Sequence, residues 1–231
     1  MSSPPLQSLA ETPPGLFATH YGDGAEKLAD LIVHLTGLAL ALVGGGMLLG
    51  LAIGFGDAGG LWAAAINAAG LLTMLALSTA YNFAAARFQP LLRRFDHAGI
   101  FLMIAGSYTP FTTQSLHGGW AWGMTAAVWG VAGFGVLSKL LMKQIDRKFS
   151  VALYLALGWL VVVALKPMID SVAWYAMLLL VAGGVIYSTG VVFYVNKRLK
   201  FARAIWHGHV VAAAATHWAA VLLGVVLTTQ H

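Results

Sequence analysis

Four pairs of polar residues interrupt otherwise apolar stretches of this chain: Asp30 with His34, Ser78 with Asn82, Asp96 with His97, and Arg203 with His207. Three of the pairs are spaced i,i+4, which places both members on one face of a helix. An ionisable side chain inside a membrane span is a functional hypothesis by default. Imidazoles, carboxylates, a hydroxyl, an amide and a guanidinium could together hold a metal or close into a hydrogen-bonded network. Each member also has a plainer reading. Ser78 can bond back to its own helix carbonyl, Asp96 can cap a helix N-terminus at the membrane surface, and Asp30 and Arg203 can lie at the interface. His209 points away from His207 on the helical wheel and reads as a packing residue. His217 reads as a hydrogen-bonded interior histidine. His20, His117 and His231 fall in the tail, a loop and the terminus. The conjunction of the pairs carries more weight than any one of them.

The chain that must position them has 231 residues, 59% hydrophobic and 9% charged, with a mean hydropathy of +0.80. A soluble domain carries about 25% charged residues, so this composition excludes a soluble globular enzyme, a disordered protein and a nucleic-acid binder. The net charge of +5 sits at membrane edges. The absence of cysteine excludes disulfides and thiolate metal sites.

Residues 1–25, with Pro4, Pro5, Pro13 and Pro14, read as a polar tail and not as a signal peptide, since no basic stretch precedes an apolar run. Residues 26–231 read as one all-α membrane domain of seven spans, at about 28–55, 60–86, 96–115, 119–142, 149–169, 171–195 and 203–229. The connections at 87–95, 139–148 and 196–203, with Lys27, hold twelve of the thirteen Lys and Arg; Lys166 is on the other side. The positive-inside rule then predicts a cytoplasmic N-terminus and an external C-terminus, the reverse of a G-protein-coupled receptor. Gly44 to Gly46, Gly130, Gly133, Gly135, Gly183 and Gly184 read as packing seams. Trp62, Trp120, Trp122 and Trp174 lie near span ends, as an aromatic belt does. This topology brings the four polar pairs to similar depth in the cytoplasmic leaflet, which predicts a shared polar cavity.

The strings Ser78-Thr-Ala-Tyr-Asn82, Arg93-Arg-Phe-Asp96-His97-Ala-Gly-Ile-Phe101 and Ala105-Gly-Ser-Tyr-Thr-Pro-Phe111 resemble the haemolysin III family. So do Ala204-Ile-Trp-His207 followed by His217, and Glu26-Lys-Leu-Ala-Asp30-Leu-Ile-Val-His34. This family is the bacterial arm of the progestin and adipoQ receptor group and is related to alkaline ceramidases. The resemblance implies seven helices with a cytoplasmic N-terminus in a bacterial inner membrane, and a role in cytolysis or lipid homeostasis.

It also implies a zinc site made of a Ser and a His on the second span, an Asp opening the third, and His-x-x-x-His on the seventh. Ser78, Asp96 and His207 match that pattern. Asn82 and Arg203 stand where the family has the other two histidines. Asparagine is a poor zinc ligand and a guanidinium cannot ligate, so zinc is doubtful. In one reading the site is metal-free: Arg203 pairs with Asp96 or Asp30, and Asn82, His207 and Ser78 complete a structural clasp. In the other a metal is kept by a shifted set, His207, Asp96, Asp30 and His34, against which Arg203 argues.

Three functions follow as expectations. The first is a haemolysin III-type membrane protein acting on membrane or lipid homeostasis without hydrolysis; no ring of charged residues lines an obvious pore. The second is a metal-dependent lipid amide hydrolase, with Asp96 as general base or orienter and Ser78 assisting the oxyanion. The third is a receptor without chemistry. Its external loops near 56–60, 115–119 and 169–171 are so short that the ligand would be a membrane lipid entering from the bilayer. A transporter has weak footing, since Pro110 and Pro167 do not form the paired broken helices expected of one.

Overall fold

The computed structural model describes residues 21–55, 58–142, 146–196 and 198–228, and among them it contains helices and no strand. The elements are α1 (Gly24–Gly54), α2 (Ala58–Phe83), α3 (Gln89–Pro110), α4 (Gly118–Leu141), α5 (Arg147–Gly158), α6 (Leu165–Ser171), α7 (Trp174–Val195) and α8 (Ala202–Val221). A 3₁₀ stretch, Leu160–Ala164, joins α5 and α6 into one rod, and π turns extend α3 and α8. Six rods are long and apolar enough to cross a membrane. The seventh, α3, carries Arg93, Arg94 and Asp96 in its first half, which lowers its hydropathy. Residues 1–20, with most of the expected tail and His20, lie outside the described residues, as do Lys143, Lys197 and His231.

Local signals set the helix ends. Asp23 caps α1 by accepting from the Glu26 amide at 2.9 Å, while the Glu26 carboxylate accepts from Gly22 N at 2.7 Å, a variant of the capping box. Helix α3 starts seven residues before the apolar segment does, at Gln89, because Pro90 suits the first turn and its polar early turns face the helix bundle's basic end. Asp96 is therefore two turns inside the helix and is not an N-cap. At the other end Pro110 closes α3 and a π turn, Phe111–Ser115, follows. The Thr109 carbonyl there accepts from Thr113 Oγ1 at 2.7 Å.

The break between α5 and the 3₁₀ stretch frees backbone groups at a depth where lipid offers no partners. The Tyr108 hydroxyl takes both, donating to Gly158 O at 2.7 Å and accepting from Val161 N at 2.9 Å.

Packing is most extensive between α2 and α3, between α7 and α8, between α1 and α2, and between α3 and α4. Small residues permit this: a Cβ on Gly135 would collide with the Phe101 ring, and one on Gly183 with the His217 ring. Gly46, Gly130 and Gly133, expected at seams, face open space instead. Leu42, Val43, Phe134, Leu141 and Val163 are exposed on the outside of the bundle, the surface expected of a protein solvated by lipid. Trp62, Trp122 and Trp174 are exposed at the ends opposite the basic connections, as an interfacial belt requires.

Candidate functional site

The inward face of α1 carries Asp30, His34, Gly37 and Ala41, one or two helical steps apart, so its two polar side chains point at α2 and α8. Asp30 is 0% exposed and His34 2%. A buried carboxylate must find donors, and Asp30 has two at short range. His207 Nδ1 donates to Oδ1 at 2.6 Å and the Tyr21 hydroxyl to Oδ2 at 2.6 Å. His34 Nδ1 donates to the Asp30 carbonyl at 2.8 Å, which leaves Nε2 3.4 Å from Ser78 Oγ. The rings of His34 and His207 meet at 4.3 Å, and Phe83 closes the other side of His34. Burial, and then the hydrogen bond to Asp30, push the Tyr21 phenol above its ordinary range, so it remains a donor.

A second tier joins this one through Ser78. Its hydroxyl bonds the Asp96 carboxylate and receives Asn82 Nδ2 at 3.4 Å. Asn82 also donates to Ser78 O at 2.9 Å and accepts from Arg203 at 3.0 Å. The seven side chains Asp30, His34, Ser78, Asn82, Asp96, Arg203 and His207 thus meet in one place, from α1, α2, α3 and α8. One expected pairing is corrected. Arg203 bonds Asn82 and not Asp30 or Asp96, because Arg203 lies level with Asn82 while His207, one turn further along α8, reaches Asp30. Asp96 feels Arg203 and His207 electrostatically and takes its hydrogen bond from Ser78.

Two residues far apart in sequence hold α8 in that register. Phe201, just before α8, has φ 60, a left-handed conformation costly for a bulky residue. Its N–H donates to Glu26 Oε1 at 3.0 Å. Glu26 therefore ties the start of α1 to the start of α8.

The cluster opens into a cavity of about 760 Å³. Its far end is lined by Met103, Tyr187 and His217, its side by Tyr154 and Trp159 of the α5 rod, and its near end by Arg93, Lys139 and Arg203. His217 Nε2 donates to Leu180 O at 3.1 Å and His209 Nδ1 to Ile205 O at 2.8 Å. Both are outside the cluster, as their helical positions suggest.

A family model described as Haemolysin-III related matches residues 26–218. The chain is 31% identical to Hemolysin-3 of Bacillus cereus over 206 residues, 89% of this chain and 94% of that one. It is 31% identical to the Hemolysin-3 homolog of Bacillus subtilis strain 168 over 198 residues, 85% and 93% of the two chains. This chain belongs to the haemolysin III family. It is a multi-pass integral membrane protein. It is also similar, at 31% identity over 127 residues, to the human monocyte to macrophage differentiation factor, covering 54% of this chain and 52% of that protein.

In this haemolysin III chain the zinc set implied by the resemblance does not fit. Asn82 spends its amide nitrogen on Ser78 and its oxygen on Arg203. The guanidinium is a fixed cation where a dication would sit. The shifted set is closer in composition: ligand atoms of Asp30, His34 and His207 lie within 4.8 Å of one another. In the structure, though, each Asp30 oxygen already accepts a short hydrogen bond, from His207 Nδ1 and from Tyr21, and a metal bound between Asp30 and His207 Nδ1 would have to replace the first of these.

Tyr21 and Glu26 are the members that helical spacing could not reveal. Tyr21 precedes the first helix, where periodicity has no meaning. Glu26 has a visible signal, the Asp23-x-x-Glu26 cap; its second bond, to Phe201, has none.

Proposed function

We propose that this haemolysin III protein crosses the membrane seven times with its N-terminus in the cytoplasm, and that it binds a membrane lipid in its large cavity without hydrolysing it. The twelve basic residues on one side support the orientation. Helix α3, with 22 residues and thus about 33 Å of length at the α-helical rise, is long enough to be the seventh span. The polar cluster is read as a clasp that holds α1, α2, α3 and α8 together. In this reading the role lies in membrane or lipid homeostasis, in the plasma membrane.

The observation that carries the proposal is the cavity itself: a volume of about 760 Å³, within the range of ligand sites, polar at one end and lined by apolar side chains beyond. Non-hydrolysis is supported by the state of the candidate catalytic groups. Ser78 and Asp96 are bonded to each other, and Asn82 bonds both the Ser78 backbone and its hydroxyl. A second reading, a metal-dependent lipid amide hydrolase, draws support from the proximity of Asp30, His34 and His207.

The test uses protein purified in mild detergent. Lipid extraction and mass spectrometry should recover a phospholipid or fatty acyl species in near-equal amount to protein, and a labelled ceramide should stay intact with and without added zinc. Zinc-dependent release of fatty acid, lost in His207→Ala, would establish the hydrolase instead.

A further inference from the structure

Another stretch of the cavity lining holds charges that the clasp does not use. Lys139, expected in a connection, is in the last turn of α4 with its side chain turned inward and 9% exposed. Its ammonium bonds Ser150 Oγ on α5 and lies 5.9 Å from the centre of the Tyr154 ring. Ser150, 4% exposed, sends its own proton to Asp146 O at 2.9 Å, so toward the lysine it is purely an acceptor. An ammonium has three donors, and one is spent here.

The charged group acting on Lys139 is another cation, Arg93. Arg93 and Arg147 in turn both act on the Tyr194 phenol. Among the described residues the ion pairs are Asp30 with His34 and His207, Lys166 with Asp170, and Lys200 with Asp23. None includes Lys139, Arg93 or Arg147. Arg94 is a different case, since its guanidinium donates to Leu140 O at 3.2 Å and ties α3 to the C-terminus of α4.

Two ordinary explanations cover part of this. Basic residues gather at one membrane edge, and a last-turn lysine complements the helix dipole. Both are met by side chains that point to water. Neither accounts for a buried ammonium lining a cavity whose wall also carries Arg93, because burying charge is costly unless an opposite charge joins it. Beyond these cations the cavity continues over Met74, Met103 and Leu155.

We propose that Lys139, Arg93 and Ser150 form the headgroup subsite for an anionic phospholipid, whose phosphate sits between the two cations and whose acyl chain runs into the apolar part of the cavity. This rests on the lipid-binding reading and names the lipid's class. The recognised chemistry is a phosphate anion, which a phospholipid and free inorganic phosphate share.

The test titrates full-length protein in a neutral maltoside detergent with tail-labelled phosphatidylglycerol and with phosphatidylcholine of the same chains. Phosphatidylglycerol should bind about tenfold more tightly, the scale of one charge-assisted hydrogen bond in a buried site. Lys139→Gln and Arg93→Gln should each bring it down to the phosphatidylcholine level. Arg93 is exposed, so Arg93→Gln decides the matter if Lys139→Gln does not purify as a monodisperse protein. Inorganic phosphate should displace the labelled lipid no better than chloride at equal ionic strength; selective displacement by phosphate would make this a free-phosphate site and overturn the lipid assignment. Equal binding of the two lipids, or a preference that survives Arg93→Gln, would overturn the subsite and leave the lipid-binding reading standing. Binding of neither lipid would overturn that reading as well.

Discussion

Where α1, α2 and α8 meet, each polar side chain faces a hydrogen-bond partner: Asp30 lies against His207 and Tyr21, and Arg203 against the Asn82 oxygen, with Ser78 linking the tiers. Where α3, α4 and α5 meet, Lys139 and Arg93 both line the cavity and repel each other electrostatically, with no carboxylate in ion-pair contact among the described residues. Both regions line, or adjoin, one cavity at the same end of the bundle. The first is a closed circuit, in which removing any member strands a partner. The second is open: its cations line the cavity, and Lys139 has one hydrogen bond, to Ser150. The same residue types thus serve cohesion in one wall and recognition in the other.

The largest effect should follow from opening the closed circuit. Asp30→Asn removes the acceptor of two short hydrogen bonds and should cost about 3 kcal/mol, the scale of breaking one side of a buried ion pair. Thermal unfolding in detergent reads this as a clear fall in Tm. Lys139→Met makes the opposite change in the open wall, removing a buried charge that no carboxylate compensates. With lipid removed, stability should hold or rise by about 1 kcal/mol. If Lys139→Met destabilises the protein as much as Asp30→Asn does, the contrast between the two walls is wrong.

A smaller effect should come from the tie between α1 and α8. Glu26→Gln keeps the shape but replaces a carboxylate that accepts from both Gly22 and Phe201, and should cost about 1 kcal/mol. The Asn82–Arg203 bond should loosen with it, seen as faster hydrogen exchange at the start of α8.

Smallest is a pH effect at the exposed α1 cap. The hydrogen bond from the Glu26 amide, and then Lys200, hold the Asp23 carboxyl below its ordinary range. A depressed carboxyl contributes stability above the ordinary value of about 4, and that contribution fades as pH falls through the lowered value. The Tm gap between wild type and Asp23→Ala should therefore narrow on acidification; a widening gap would contradict the assignment.

Much of this was legible in the amino acids. The apolar segments mark six rods in full because lipid demands about twenty apolar residues per span, and the segment at 96–115 marks the second half of α3. The i,i+4 spacing of Asp30 with His34, Ser78 with Asn82, and Arg203 with His207 places each pair on one face whatever the tertiary structure. What spacing could not give is which face meets which. Arg203 was expected to seek a carboxylate, but the register of α8 against α2 sets it beside Asn82, and the tie from Glu26 to Phe201 that fixes this register spans 175 positions. Helix α3 began early because a polar first half hides from a hydropathy count. Lys139 looked like a loop charge for a related reason: sequence places a lysine near a membrane edge but does not say whether its ammonium turns to water or inward.

A clasp of hydrogen bonds among Asp30, His207, Ser78, Asn82 and Arg203 needs no metal. The direct measurement is elemental analysis of chelator-washed protein, compared with a double variant, Asn82→His with Arg203→His, that restores the residues implied by the family resemblance. The wild type should carry well under one zinc per chain while the double variant approaches one. Near-stoichiometric zinc in the wild type, lost in His207→Ala or Asp30→Asn, would contradict the clasp and return Asp30, His34 and His207 to the role of ligands.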